Sequence, residues 1–422
     1  VVESARQQRR AALRHMEYPP DPAHRQRVRR GFGQEPIDGH AKVGPAAVSD
    51  AAVDEDRLGD VLPRHRLEDR MFAVDLVQEE RGVAEQILQR HGHREDLARA
   101  RPIIYPPPMG ENETGPLIVI EGHGTGLEQA DSAAIRALLE DRGAVLLRGF
   151  ATTVEGFAAL GHSLCATSVF NESPHREILG DGVRVQSVNL GADPFPLHPE
   201  LAREPWRPDL AMFACLDPPS VGGQTNVCDG IAIADNLPAE VRRVLEGKRL
   251  FYIRPASPEL LRYWLGTEQP DDALLADPPA TCPYWFRRAR DGIVRGFTRP
   301  ALEPTLFQDQ PAFANFLLFA RDYLGIARIP LLEGQVFDDD MVDAIRSAAR
   351  SLTYSHRWRQ SDVVLLDNSR FMHGRRAIAE TSERRIATYF GYLKGIGRRA
   401  GEPFEPIWRR ETFIPPEKPN ES

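Results

Sequence analysis

The chain has 422 residues, 41% of them hydrophobic and 27% charged, a composition that supports a sizeable core and excludes a membrane-embedded or wholly disordered protein. Its net charge of −8 argues against nucleic acid or another polyanion as the main partner. Cys165, Cys215, Cys228 and Cys282 stand far apart with no CxxC pair, so neither a disulfide framework nor a zinc knuckle is expected, and a reducing cytoplasm is the expected location. Val1-Val2-Glu3-Ser4 does not open a basic region followed by an apolar one, and no run approaches the ~18 apolar residues of a membrane span. The expectation is a soluble, unexported protein.

Residues 1–108 hold 18 basic and 18 acidic residues and half of the twelve histidines, with few long apolar runs, which is a poor recipe for a core. Within them only 67–90 has apolar spacing that suggests a helix or two. The region closes on Tyr105-Pro106-Pro107-Pro108, an extended linker, directly before Met109. A poorly ordered Arg/His-rich extension over 1–108 is expected, with the folded domain over 109–422. Two readings of 1–108 stand open: an upstream or dispensable extension, and a real accessory segment.

From residue 116 the pattern becomes that of an ordered domain. Pro116–Ile120 reads as a strand. Asp131-Ser132 can N-cap a helix through Arg142 that Gly143 stops, and Ala144–Phe150 reads as a buried strand ending in a turn. Further strands are expected at 183–190, 210–216, 224–228, 249–254, 292–297, 362–367 and 385–393, with helices near 154–165, 239–246, 311–324 and 339–351. Many short strands with helices before and between them predict a mainly β member of the α+β class, a sandwich or barrel dressed with helices.

The sharpest local feature is His198-Pro199-Glu200. On extended backbone, residues i and i+2 face the same side, so an imidazole and a carboxylate can converge on one ion. A later histidine would complete a site of two His and one carboxylate, which leaves open positions on non-haem Fe(II). His373, in a polar turn after the apolar run Val363–Leu366, is the first choice, and His356 the second.

Taken together, the run Gly143–Phe150, His198-Pro199-Glu200, Gly222-Gly223-Gln224-Thr225, Asp367-Asn368 with His373-Gly374-Arg375, and Arg384-Arg385-Ile386 resemble, in order, the landmarks of the TauD/TfdA family of Fe(II)/2-oxoglutarate dioxygenases. The resemblance covers roughly 116–395. It implies a double-stranded β-helix (jelly-roll) core flanked by helices, with His198, Glu200 and His373 as iron ligands and 2-oxoglutarate and O2 as co-substrates. It also implies that Thr225 and an arginine about a dozen residues past the distal histidine hold the far carboxylate of 2-oxoglutarate. Arg385 is preferred, because it directly precedes the apolar strand, with Arg384 as the alternative. A dicarboxylate in a barrel needs such a charge-assisted partner.

The implied reaction couples decarboxylation of 2-oxoglutarate, with release of succinate and CO2, to hydroxylation of an unactivated C–H bond. Glu200, where many relatives carry Asp, resembles the clavaminate synthase-like and SyrP-like branch, whose members often oxidise amino acids, sometimes on a carrier protein. The expected substrate is therefore an amino acid or amino-acid-derived small molecule of secondary metabolism, free or carrier-bound. The resemblance is compatible with a homo-oligomer. Some relatives hold an anionic substrate group with a second arginine four residues after the first; counted from Arg385, that position is Tyr389. Sulfonate or aryloxyacid cleavage is accordingly the alternative, and a non-catalytic jelly-roll that binds a metabolite a third reading. Gln186 and Asn189 are candidates for the barrel mouth. The stretch 255–291 reads as a long excursion and candidate lid, bringing Tyr284, Arg287 or Arg288 toward the iron.

Overall fold

The computed structural model describes residues 115–416 apart from 172, 174, 175, 181–183, 189, 190, 380–383 and 400. The expected extension over 1–108, the helix expected within 67–90, and Asn189 lie outside the described residues. In chain order the strands are β1 (Ile118–Glu121), β2 (Ala144–Arg148), β3 (Cys165–Val169), β4 (Ile178–Leu179), β5 (Val185–Ser187), β6 (Phe195–His198), β7 (Leu210–Asp217), β8 (Thr225–Asp229) and β9 (Arg249–Pro255). They continue with β10 (Trp285–Ala289), β11 (Gly292–Pro300), β12 (Glu303–Pro304), β13 (Pro311–Ala312), β14 (Leu331–Leu332), β15 (Tyr354–His356), β16 (Val363–Asp367), β17 (Phe371–Arg375) and β18 (Arg385–Leu393).

Two sheets carry the site. An eight-stranded sheet runs β1-β2-β16-β7-β18-β5-β4, with β3 also on β18, and a four-stranded antiparallel sheet runs β15-β8-β17-β6. In the larger sheet, among the described residues, only the strands β1 and β2 pair in parallel; β16 lies antiparallel between β2 and β7, with Val363 opposite both Leu147 and Ala214. Ala144 to Leu147 are all buried, which explains why β2 reads as an unbroken apolar run.

Side-chain alternation divides the large sheet into two faces. Ala211, Phe213, Cys215, Val364, Leu366, Ile386, Phe390 and Tyr392 point into a core shared with Leu197 of β6, Val227 of β8 and Phe371 of β17. Leu210, Met212, Ala214, Val363, Leu365, Ala387, Tyr389 and Leu393 point the other way, against two helices. Those helices are α1 (Ser132–Arg142) and α2 (Val154–Leu164). Their starts follow from local chemistry: Asp131 Oδ1 accepts from the backbone N–H groups of Ala133 and Ala134 at 2.9 and 3.1 Å, and Thr153 Oγ1 from that of Gly156 at 3.0 Å. Gly143, at φ 77°, closes α1. Each buried Leu, Val or Phe in these layers contributes roughly 1.5–3 kcal/mol through area removed from water.

The stretch 255–291 is folded. It forms helices Pro258–Leu265 and Asp272–Ala276 and then β10, which joins β11, β9 and β14 in a third sheet. The helix expected over 311–324 is shorter: Pro311 and Ala312 pair with β12, and helical backbone begins at Leu317, passing into a π turn through Leu324. None of the described helices is long and apolar enough to cross a membrane.

Candidate metal and co-substrate site

The smaller sheet sets the distal and proximal histidines against each other. β17 lies between β8 and β6, and His373 stands directly opposite His198 in the β17–β6 register. The ring centroids are 4.6 Å apart. Gly374 makes this pairing feasible, because a Cβ there would lie 2.6 Å from the carbonyl oxygen of Phe195 on β6. Phe213, from the inner face of the large sheet, lies against His373 with ring centroids 4.8 Å apart and planes tilted by 58°, so the ligand pair sits between the two sheets.

Glu200 follows β6 by two residues, and its backbone is fixed by Asn368. Asn368 Oδ1 accepts from Glu200 N at 2.8 Å and its Nδ2 donates to Glu200 O at 3.0 Å. The carboxylate Oε2 then lies 3.6 Å from His373 Nε2. Ligand atoms of His198, Glu200 and His373 all fall within 4.8 Å of one another, the trio the sequence singled out. His356, the second choice, is not among them; its Nε2 faces Asp362 Oδ2 at 3.2 Å.

The donor set fits a divalent cation. His198 Nδ1 lies 2.9 Å from Pro196 O, which favours the tautomer that leaves Nε2 open. Burial, reinforced by His373, pushes the His198 pKa down to about 3. Burial alone would raise the Glu200 pKa, but Arg176 and the two histidines outweigh it and draw it down to about 2. A neutral imidazole and an ionised carboxylate are the forms that bind metal. His373 Nδ1 is buried with no hydrogen-bond partner among the described residues. One carboxylate and imidazoles with positions left open match the donor chemistry of non-haem iron.

Two residues along β17 from His373, Arg375 brings a second cation near Arg384. Thr225 begins β8, opposite Arg375 of β17 and His356 of β15, and its hydroxyl accepts from Trp358 Nε1 at 3.0 Å. The order of preference between the two adjacent arginines reverses. Arg385 points outward, 62% exposed, with Asp217 Oδ2 at 3.1 Å, whereas Arg384 is turned inward over Gly223. A Cβ on Gly223 would meet Arg384 Cδ at 3.1 Å, and the backbone there has φ 66°. Arg384 Nε is buried without a hydrogen-bond partner among the described residues. Burial, then the nearby Arg375, pulls the Arg384 pKa down to about 9.

Other expected substrate residues lie elsewhere. Tyr389 belongs to the outward face of β18 and packs on α2, where a Cβ on Gly161 would come within 2.7 Å of its ring. Tyr284 is buried among Trp206, Trp264, Phe286 and Phe297, its hydroxyl 3.3 Å from Glu204 Oε2. Arg288 is exposed and paired with Asp272 at 2.5 Å. Tyr284 and Arg288 of the supposed lid are thus used in packing and surface pairing, and Arg287 is exposed on β10. Gln186 is buried and approaches the trio at one remove, through Asn171.

Sequence reasoning missed two neighbours of Glu200. Asn171 Nδ2 donates to Glu200 Oε1, and Arg176 Nη2 lies 3.4 Å from Oε2. Both come from the stretch between β3 and β4, whose sequence has no periodic signal.

Residues 116–389 match the family model described as taurine catabolism dioxygenase TauD, TfdA family. The chain belongs to the TauD/TfdA family. Among similar curated proteins, the alpha-ketoglutarate-dependent 2,4-dichlorophenoxyacetate dioxygenase of Cupriavidus pinatubonensis is 29% identical over 180 residues, covering 42% of this chain and 53% of the relative. A namesake from a Burkholderia species is 24% identical over 177 residues, covering 42% and 50%. The chain spans about half the length of these curated relatives. Solved structures similar to this TauD/TfdA chain include PvcB of Pseudomonas aeruginosa, at 15% identity and TM-score 0.44 over 68% of this chain and 90% of that one. A taurine dioxygenase from Burkholderia xenovorans gives 15% and 0.45 over 68% and 90%.

Proposed function

We propose that this chain is an Fe(II)- and 2-oxoglutarate-dependent oxygenase that hydroxylates an unactivated C–H bond of an amino acid or amino-acid-derived metabolite, free or carrier-bound. The observation that carries the reading is the convergence of His198, Glu200 and His373 beside an inward arginine, Arg384, within a chain of this family. Iron held by these three residues, with 2-oxoglutarate and O2, supplies the oxidising power: the keto acid leaves as succinate and CO2, and one oxygen atom enters the substrate.

The protein's own part is binding and orientation. His198, Glu200 and His373 would hold the iron through three protein ligands and would leave positions open for the keto acid and O2. Arg384 would hold the far carboxylate of 2-oxoglutarate, with the Thr225 hydroxyl as second contact, a charge-assisted arrangement worth roughly 1.5–3 kcal/mol. Phe213, tilted against His373, and Phe319, edge-on to His198, cover the ligand rings.

Substrate class follows from a cation in an unexpected place. Four residues after Arg384 stands Thr388, on the inner face of β18, and its hydroxyl accepts from Arg176 Nη1 at 3.1 Å. A guanidinium beside the metal carboxylate suits a substrate bearing a carboxylate, as an amino acid does. An aryloxyacid also bears one, and the named activity of the two curated relatives favours that as the second reading.

The test is a substrate panel of amino acids, aryloxyacetates and alkylsulfonates, incubated with Fe(II)-loaded protein, 2-oxoglutarate and air, with products read by mass spectrometry. An amino acid that gains one oxygen atom is the expected result. Release of a phenol or sulfite with untouched amino acids would replace this reading by the cleavage reaction.

A further inference from the structure

We infer that Asn171 and Gln186 form a clamp that restrains Glu200 to bind the metal through one carboxylate oxygen, which keeps free the coordination position a two-oxygen grip would occupy. The inference rests on the Fe(II)/2-oxoglutarate reading and assigns roles to two residues beyond the ligand set. A glutamate has one more rotatable bond than an aspartate, so without restraint both oxygens can turn toward an ion. Three free positions are needed for a keto acid and O2, and a two-oxygen grip leaves only two.

The geometry separates the two oxygens. Oε2 faces His373 Nε2 at 3.6 Å, which makes it the ligand oxygen, and Arg176 touches it only at 3.4 Å. Oε1 is held on its other side by the amide of Asn171. That amide cannot be turned round without loss, because Asn171 Oδ1 already accepts from the backbone N–H of Ser173 at 2.9 Å, which leaves Nδ2 for the carboxylate.

Gln186 fixes the backbone from which this amide projects. Its Oε1 accepts from Asn171 N at 2.9 Å and its Nε2 donates to Asn171 O at 2.8 Å. Gln186 sits on β5, and its own carbonyl accepts from the Thr388 hydroxyl at 2.9 Å, so the clamp is anchored to β18. Asn368 holds the Glu200 backbone at the other end. A long, flexible ligand side chain is thereby held at both its root and its outer oxygen. Partners of this outer kind commonly change metal-site properties by tenfold or more.

The test is anaerobic titration of the full-length protein, first with Fe(II) and then, once loaded, with 2-oxoglutarate, the second followed by the visible absorption of the iron–keto acid complex. It is run on the wild type, Asn171→Ala, Glu200→Asp and the double variant. Asn171→Ala is expected to keep the Fe(II) Kd within about threefold, because a second carboxylate oxygen replaces what is lost, while the 2-oxoglutarate Kd rises about tenfold. In the Glu200→Asp background the effect of Asn171→Ala should shrink to about twofold or less, since the shorter side chain does not reach the clamp. Should Asn171→Ala fail to fold, Gln186→Met keeps the side-chain length, removes both amide bonds and carries the same expectation. Unchanged 2-oxoglutarate affinity in the clamp variant, or Fe(II) and 2-oxoglutarate affinities falling in step, overturns the inference while the function reading stands. A wild type that takes Fe(II) but no 2-oxoglutarate overturns the function reading and this inference with it.

Discussion

Two arginines adjacent in sequence take opposite sides of the large sheet. Arg384 shares its parity with Ile386, Thr388 and Phe390 on the inner face, and Arg385 shares its parity with Ala387 and Tyr389 on the outer. Replacing Arg384 by Ala should raise the 2-oxoglutarate KM about 10- to 100-fold, the equivalent of one charge-assisted contact. Arg385→Ala should stay within about threefold and Tyr389→Phe within about twofold, since neither side chain reaches the inner face. Steady-state kinetics on the three variants decide this, and a large effect at Arg385 would restore the choice made from sequence. The parity was countable in advance: Ile386, Phe390 and Tyr392 mark the inner phase. The preference for Arg385 came from its nearness to the strand, which carries no information about face. Asn171 and Arg176 were not legible at all, because the sequence around them has no periodic pattern and they meet Glu200 only through the tertiary fold.

At the scale of elements, what was legible had a local cause. α1 starts and stops where Asp131 and Gly143 predict, and β16 and β18 lie where their apolar runs predict. β6 and β17 were missed as strands because they carry the chemistry: Pro196, His198, His373 and Gly374 break the apolar pattern that marks a strand. The entrance to β16 supplies a stability prediction. Buried Asp362 accepts from Arg148 Nε and Nη2 at 2.9 and 2.8 Å and from Arg359 N at 3.0 Å. Burial would raise its pKa, but Arg148 and His356 outweigh that and hold it below the ordinary carboxylate value. A depressed carboxylate pKa contributes stability above its unfolded value, and the contribution is lost as pH falls through the folded one. Asp362→Asn should therefore cost roughly 3 kcal/mol at neutral pH, by stranding Arg148. The gap to wild type should narrow in acid. Urea unfolding at neutral pH and near pH 3 measures both, and a gap that widens in acid would contradict the assignment.

For the molecule as a whole, the family and a sheet-rich architecture with flanking helices were readable because the motifs fall in a fixed order over a long span, which no single motif achieves. Every residue assigned a role in the metal and co-substrate site lies between 171 and 388, and 109–422 carry the whole net charge of −8. We therefore propose that 1–108 are dispensable for the site: a chain beginning at Met109 should bind Fe(II) within about threefold of the full chain in equilibrium dialysis. Substrate, by contrast, was poorly legible, since the cation beside Thr388 is delivered by a segment with no pattern of its own. The central claim is that His198, Glu200 and His373 hold an iron that oxidises 2-oxoglutarate, and its most direct test is succinate formation by anaerobically Fe(II)-loaded protein exposed to air, with His198→Ala as control. Succinate produced by the wild type and reduced at least about a hundredfold in His198→Ala is the predicted result. Equal succinate from both proteins, or none from a wild type that has bound Fe(II) and 2-oxoglutarate in the presence of the full substrate panel, would contradict it.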